Sequence, residues 1–318
     1  MSGTTIGQED SAYSRRLAES FFGIFSRLSP GCIPKKILEV GCQRGYLLHE
    51  FQQRGVERAI GVEPGDIEPW IDENGGIVDI RRGYLSRDIV GEDDFDFVFS
   101  LSVFEHVEKP KEFLQIIHDL LRPGGRLLVA VPNEVFSLQA GNIGMFLFQH
   151  LNYFTPELLK TIFATCGFHV TGIISSRELP LYVIAEKGGA KEGSGIDADV
   201  KAKTRRLLTG YKERVEEKLN FIRGISDELK DSPLGFYGVE GSANIFSWIP
   251  RLLDRPCAIF DSDSHKWSKR FSGIPSVVKP PDELCTVNDV IPAPYRLQEE
   301  IIRFLYGQRH PVQVHRLY

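Results

Sequence analysis

The sequence predicts an α/β protein of two parallel-sheet domains, the second smaller than the first, and three observations carry that expectation. Short apolar runs alternate with helical patterns from residue 37 onward, the rhythm of strands joined by crossover helices. A small, polar, glycine-rich stretch at 188–199, GGAKEGSGIDAD, interrupts the pattern with the composition of a linker. Beyond it, at 235–263, a strand, a glycine turn and a helix lead into another strand. A chain of 318 residues suits two domains of roughly 150.

Each element has its own signal. An N-terminal helix is expected over 12–28, a strand at 37–40, a helix running through Phe51 and a strand at 59–63. FDFVFSL at 95–101 reads as a strand buried on both faces, and Phe113, Leu114, Ile116, Ile117, Leu120 and Leu121 then recur at helical spacing. The RPGG run at 122–125 should stop that helix, with LLVAV at 127–131 returning as a strand. Thr155 can cap a helix that has Pro156 at its first position, and Gly167 suits the residue just past its end. The runs at 169–174 and 181–187 are joined so closely that they should pair antiparallel and close the first sheet.

Past the linker, Leu208, Tyr211, Val215, Leu219, Ile222, Ile225 and Leu229 recur at spacings of three and four along a long charged helix over 200–229. That stripe suits a helix packing between the two domains, or the seam of a homodimer. GFYG at 235–238 ends a strand in a glycine turn, a helix follows to about 253, and CAIFDSD at 257–263 is a further strand ending in acids. The expected divisions are a helical segment over 1–30, a first domain over 31–187, a linker and long helix over 188–232, and a small α/β domain over 233–318.

Composition narrows the functions available. Against 43 acidic residues stand 38 basic ones, a net charge of −5, so nucleic acid is not an expected partner. No stretch approaches the ~18 to 20 apolar residues of a membrane helix. The opening MSGTTIGQED is too polar for a secretory signal, which predicts a cytoplasmic protein with no membrane span. Cys32, Cys42, Cys166, Cys257 and Cys285 are odd in number and form no C-x-x-C pair, so small core filler is their expected role. Asp93 and Asp94 have no assignable partner, and no metal site is expected.

The chemistry is signalled at the first turn, ILEVGCQRGYLLHEF at 37–51. A dinucleotide-binding turn spaces its glycines as G-x-G-x-x-G around a pyrophosphate. Here Glu39 precedes Gly41 and Gly45 in the pattern E-x-G-x-x-x-G. An acid there would repel a phosphate and suit a ligand bearing an amine or a sulfonium, while the glycines allow a tight turn and a close approach. Glu63 ends the next strand in GVEPG, at about the distance where such folds hold ribose hydroxyls. A ribose and a positive charge are thus implied together, and a nicotinamide dehydrogenase is disfavoured.

EVGCQRG, GVEPG, FDFVFSLSVFEHVEKPKEFLQIIHDLLRPGGRLLVAVPN and HLNYFTPELLKTIFATCGF follow in order. Over roughly 35–187 the chain therefore resembles the class I S-adenosylmethionine-dependent methyltransferases. The resemblance implies a Rossmann-like seven-stranded sheet, S-adenosyl-L-methionine as cofactor and S-adenosyl-L-homocysteine as product. It places Gly41 and Gly45 beside the methionine part, Glu63 on the ribose and Tyr84, with its neighbours Gly83 and Leu85, near the adenine. It runs Ser100, Leu101 and Ser102 beneath the cofactor. Gln43 stands where the family usually has a glycine, and could crowd the turn or use its amide on the ligand.

Methyl transfer needs alignment, and a base when the acceptor must lose a proton. Glu105 and His106 follow the fourth strand, at the edge where open parallel sheets gather ligands, and are the catalytic candidates. Histidine is the better base because its unperturbed pKa is about 6.5. The alternative is that the pair only starts a helix. His150, Asn152 and Tyr153 are candidate acceptor contacts; IGMFLF at 143–148 suits a lid, an acceptor wall or ordinary core.

FYGVEGSANIFSWI and the stretch beginning at CAIFDSD resemble the C-terminal domain of sugar C-methyltransferases. Gly238, Glu240, Gly241 and Asn244 match its glycine turn loosely, Asp261 ends its second strand, and a plain strand-to-helix turn without ligand is the alternative. The cysteine-rich zinc module that precedes the methyltransferase in that family has no counterpart here. The leading expectation is methylation of a sugar or nucleotide sugar in glycan or natural-product assembly. The alternatives are O- or N-methylation of a non-sugar metabolite, or a non-catalytic cofactor-binding scaffold.

Overall fold

The computed structural model describes residues 11–31, 33–69, 78–177, 179–189 and 197–318. Cys32, the opening segment and most of the expected linker lie outside the described residues. The chain forms two compact units, Met1–Asn133 with Gln149–Asp197, and Glu134–Phe148 with Ala198–Tyr318.

In chain order the elements are α1 (Ser11–Leu28), β1 (Lys36–Val40), α2 (Tyr46–Gln53), β2 (Arg58–Glu63), β3 (Asp79–Arg82), α3 (Arg87–Val90) and β4 (Phe95–Leu101). They continue with α4 (Pro110–Leu120), β5 (Leu121–Val131), α5 (Glu134–Ala140), α6 (Pro156–Thr165), β6 (Phe168–Ile174) and β7 (Leu181–Lys187). The strands of the first unit form one seven-stranded sheet in the order β3-β2-β1-β4-β5-β7-β6. All neighbours run parallel except β7, which is antiparallel to both β5 and β6, as the short connection between β6 and β7 requires.

Both faces of this sheet are covered. Strand side chains alternate between faces, so Leu38 and Val40 enter one core while Ile37 enters the other. The second core is aromatic, with Phe21, Phe51, Phe97 and Phe99 packed at ring separations of 5.3 to 6.1 Å. Helix α6 begins as its sequence dictates, since the Thr155 hydroxyl accepts from the Leu158 N–H at 3.2 Å.

One boundary differs from expectation. The strand β5 starts at Leu121, and the RPGG run lies inside it, with Arg122, Pro123 and Gly124 exposed. The register against β4 slips between Phe95 and Phe97. Gly125 is squeezed there, because a Cβ would sit 2.8 Å from the Phe95 carbonyl oxygen. The turn chemistry therefore makes a bulge. Strand β3 and helices α3 and α5 carried too little periodicity to be expected at all.

The second unit contains α5 and then α7 (Ala198–Leu229), β8 (Leu234–Tyr237), α8 (Val239–Trp248), β9 (Cys257–Phe260), β10 (Val278–Lys279), β11 (Asp289–Pro292), α9 (Gln298–Tyr306) and β12 (Gln313–Val314). Its five strands pair in the order β10-β9-β8-β11-β12, all parallel. Val215, Leu219, Ile222 and Ile225 of α7 are buried in this unit's core with Phe236, Phe246 and Ile291. The apolar stripe considered for a homodimer is thus largely spent within the chain, with Leu208 left 46% exposed.

Segment 134–148, inside the first domain by sequence, belongs to this second unit. Its carbonyls and amides find partners far along the chain: Tyr211 Oη donates to Asn142 O, Arg214 to Leu138 O and Tyr295 Oη to Phe136 O, while Ile143 N donates to Tyr318 Oη. IGMFLF divides accordingly, Ile143 and Met145 being buried and Phe146, Leu147 and Phe148 exposed. Cys42 and Cys166 are buried as core filler, whereas Cys285 is exposed. No described helix is long and apolar enough to cross a membrane.

Candidate functional site

The site of the first unit is assembled at the carboxyl ends of β1, β2 and β4, where parallel strands present their loops. A cavity of about 640 Å³ opens there, lined by Gly41, Pro64, Tyr84, His106, Phe113 and Leu151 among others. That volume falls within the range of about 300–1,000 Å³ usual for small-molecule sites.

Gly41 must be glycine twice over: its φ is 77°, and a Cβ would meet Val103 Cγ2 at 2.3 Å. Gly45 has φ 78° and a Cβ there would meet Val78 Cγ2 at 2.5 Å, so it shapes the turn without lining the cavity. Gln43 takes a left-handed backbone, φ 48°, with its side chain exposed. It occupies the conformation glycine would adopt freely and does not crowd the turn; its N–H donates to Glu63 Oε2 at 2.9 Å.

Glu63 closes the loop from the other side. Its Oε1 accepts from the Gly65 N–H at 2.8 Å, leaving each carboxylate oxygen with acceptor capacity for a ligand hydroxyl. Glu39, in β1, is 5% exposed, and its Oε2 accepts no hydrogen bond. Burial, with Glu63 adding a like charge, holds its carboxyl well above the usual range. The same burial, reinforced by both glutamates, pushes the Cys42 thiol far up and leaves it inert. An orphaned buried carboxyl beside a glycine turn fits a cationic partner and opposes a phosphate.

Ser100 and Leu101 end β4, and Ser102 follows it. Ser100 is fully buried, and its hydroxyl donates to Val40 O at 3.1 Å, tying β4 to β1. Leu101 packs into the aromatic core, and the Ser102 N–H donates to Ala130 O. None of these three lines the cavity. Tyr84 does, and is 83% exposed. The wall that sequence reading missed is supplied by Val103, Val107, Phe113 and Ile116. The last two were read as helix core, and periodicity cannot separate a core face from a cavity face.

Glu105 and His106 lie in a 3₁₀ turn, Phe104–His106. Glu105 is 2% exposed and its carbonyl accepts from the N–H groups of Leu151 and Asn152, at 2.9 and 3.0 Å. His106 Nδ1 lies 2.7 Å from Gln149 O. A carbonyl only accepts, so Nδ1 carries the proton and the neutral ring keeps its lone pair on Nε2. That Nε2 is 4.0 Å from Glu105 Oε1.

His150 stands edge-on to His106 at 4.9 Å between ring centroids, and Tyr153 is 6.1 Å from His150. The Asn152 amide donates to Val107 O at 2.6 Å and so pins the loop. Glu105, His106 and His150 bring one ligand-type atom each to within 4.8 Å of one another. These are residue types that can ligate a metal, a convergence that the sequence reading, which expected no metal site, did not anticipate.

The sheet order, with its antiparallel strand beside the last parallel one, and the two acids at the first glycine turn define an α/β protein of the methyltransferase type. Residues 13–172, half of the chain, match the family model described as "Methyltransferase domain", and the chain belongs to that family, the S-adenosylmethionine-dependent methyltransferases.

The protein named "Probable S-adenosylmethionine-dependent methyltransferase" of Mycolicibacterium smegmatis is 27% identical over 184 residues, 56% of this chain and 68% of that protein. The mitochondrial ubiquinone biosynthesis O-methyltransferase of Dictyostelium discoideum is 26% identical over 117 residues, 31% of this chain and 36% of that protein. C-methyltransferase NovU of Streptomyces niveus is 27% identical over 143 residues, 43% of this chain and 33% of that protein. The chain spans about a third of the length of the latter two.

Proposed function

We propose that the chain transfers the methyl group of S-adenosylmethionine to a hydroxyl of a sugar or nucleotide-sugar acceptor, with His106 as general base. The observation that carries this reading is the bond from His106 Nδ1 to Gln149 O on the wall of the cavity. It fixes the tautomer whose Nε2 can take a proton.

Glu39 and Glu63 would hold the cationic part and the ribose of the cofactor, and Gly41 would admit it. When bound, the cofactor supplies a methyl carbon already activated by its sulfonium. His106 Nε2 would take the acceptor's hydroxyl proton as the oxygen bonds the methyl carbon and the carbon–sulfur bond breaks, S-adenosylhomocysteine being the leaving group; buried Glu105, with Oε1 4.0 Å from that Nε2, flanks the ring. A hydroxyl needs such a base, whereas an amine presents its own lone pair. The sugar assignment draws on the resemblance of the second unit to the C-terminal domain of sugar C-methyltransferases.

A mass-spectrometric assay with deuterated-methyl cofactor tests this against nucleotide sugars and, in parallel, free small metabolites. The expected result is a labelled nucleotide sugar whose formation falls about 10²–10⁴-fold in His106→Ala, with S-adenosylhomocysteine binding unchanged. Label only in a non-sugar metabolite would overturn the acceptor class; full activity in His106→Ala would overturn the base.

A further inference from the structure

The second unit has its own cavity, of about 270 Å³, at the carboxyl ends of β8, β9 and β11. Its sheet order places β8 at the centre, with β9 and β10 laid down to one side and β11 and β12 to the other. The cavity therefore lies at a topological switch point, the crevice where open parallel sheets take ligands.

The loops there repeat the carboxylate clip of the first unit. Asp261 follows β9 as Glu63 ends β2, and is 8% exposed. Its Oδ2 accepts from the Val239 N–H in the glycine turn after β8, at 3.1 Å, and its Oδ1 from the Asp263 N–H at 2.9 Å. Glu63 makes the corresponding pair of bonds, to the N–H of the first turn and to the residue two positions on. Gly238, at φ 97°, and Gly241, where a Cβ would lie 2.4 Å from the Ala293 carbonyl carbon, keep this turn close to the next strand.

The lining selects a ligand class. Asp261, Glu240 and Glu300 stand against one ammonium, Lys266, which bonds Asp261 Oδ2 at 3.1 Å. Glu240 sits in the first turn of α8, so the helix terminus that would attract a phosphate already carries an acid. The lining is also apolar in part, with Leu297, Ile301 and Phe304, whose ring lies 5.5 Å from that of Tyr237. Ser262, beside Asp261, has a hydroxyl in contact with Tyr237 Oη.

We propose that this second cavity binds a nucleoside-class ligand without phosphate. Its flat ring lies against Phe304 and Leu297, and a sugar hydroxyl meets Asp261 and Ser262. A cavity of 270 Å³ suits one nucleoside rather than a dinucleotide.

Trp267 provides a local reporter, because its indole N–H donates to the Asp261 carbonyl at 2.8 Å. The full chain, labelled with 5-fluorotryptophan at its three tryptophans, is titrated with adenosine, and with ADP, by ¹⁹F NMR. Trp267→Phe assigns the resonance. Adenosine is expected to shift the Trp267 signal saturably, ADP to need at least about tenfold more, and Phe304→Ala to weaken adenosine about tenfold. Phe304 is 36% exposed, and circular dichroism verifies the fold of the variant. An unmoved signal at millimolar adenosine would overturn the proposal. So would tighter binding of ADP, or a response unchanged in Phe304→Ala, which would mean that the nucleoside acts from elsewhere. The outcome is independent of the acceptor assigned to the first unit.

Discussion

Glu39 is the residue whose state changes most with what surrounds it. Its pKa is raised by burial, so the folded protein keeps its proton where the unfolded chain has lost it. The ligand-free protein should therefore lose stability as pH rises from the ordinary carboxylate range through the raised value. Glu39→Gln should abolish that decline and raise the melting temperature at neutral pH, as thermal denaturation across a pH series would reveal. A ligand ammonium placed beside it reverses the preference, so if Glu39 meets the ammonium of S-adenosylhomocysteine, binding should release a proton, detectable by calorimetry in buffers of differing ionisation enthalpy. Glu39→Gln should bind without release and on the order of tenfold more weakly. That Glu39 and Glu63 stand beside the first glycine turn was legible in the sequence, because an acid next to such a turn is a local pattern. That Ser100 spends its hydroxyl on Val40, and that Asn152 spends its amide on Val107, was not legible, because both bonds join residues distant in sequence. Thiol titration offers a simpler comparison: among the described cysteines Cys285, exposed, should react first, and buried Cys42 only on unfolding.

Among the elements, the edge of the first sheet is held by charge and its middle by aromatic packing. Glu92 bonds Arg58 at 2.6 Å, Arg81 at 2.8 Å and Lys36 at 2.9 Å, and Asp79 bridges the two arginines. Arg58 above all depresses the Glu92 carboxyl, from 4.5 to about 2. The lowered value means that the stabilisation is complete above the ordinary range and is lost as pH falls from about 4.5 towards about 2. Glu92→Gln should flatten that part of an acid-denaturation profile while leaving neutral-pH activity unchanged. In the middle of the sheet Phe99 is fully buried against Phe21, Phe51 and Phe97. Phe99→Ala should cost about 3–5 kcal/mol in chemical denaturation. The strands were readable because FDFVFSL and LYVIAEK are continuous apolar runs. Strand β3 was not, since DIRR is polar and gains its place through the ion pairs just described.

At the scale of the molecule, the boundary between units follows contacts rather than composition. The polar stretch at 188–199 marks where the chain leaves the first unit for the last time, and nothing in its neighbourhood announces the earlier visit at 134–148. That visit is invisible to periodicity because its partners, Tyr211, Arg214, Tyr295 and Tyr318, are met only in space. A fragment ending at residue 189 should consequently keep its sheet but be cut by protease within 134–148, at sites protected in the full chain. Equal resistance of the two would mean that the segment holds its shape unaided. The same stitching sets an order of events on the ribosome. Ile143 must wait for Tyr318, 175 residues later, which at about 5–20 residues per second is on the order of 10 to 35 seconds of synthesis. The first sheet can close in that interval while carrying an unfinished loop of its neighbour, and chaperones that bind apolar segments have that long to find it.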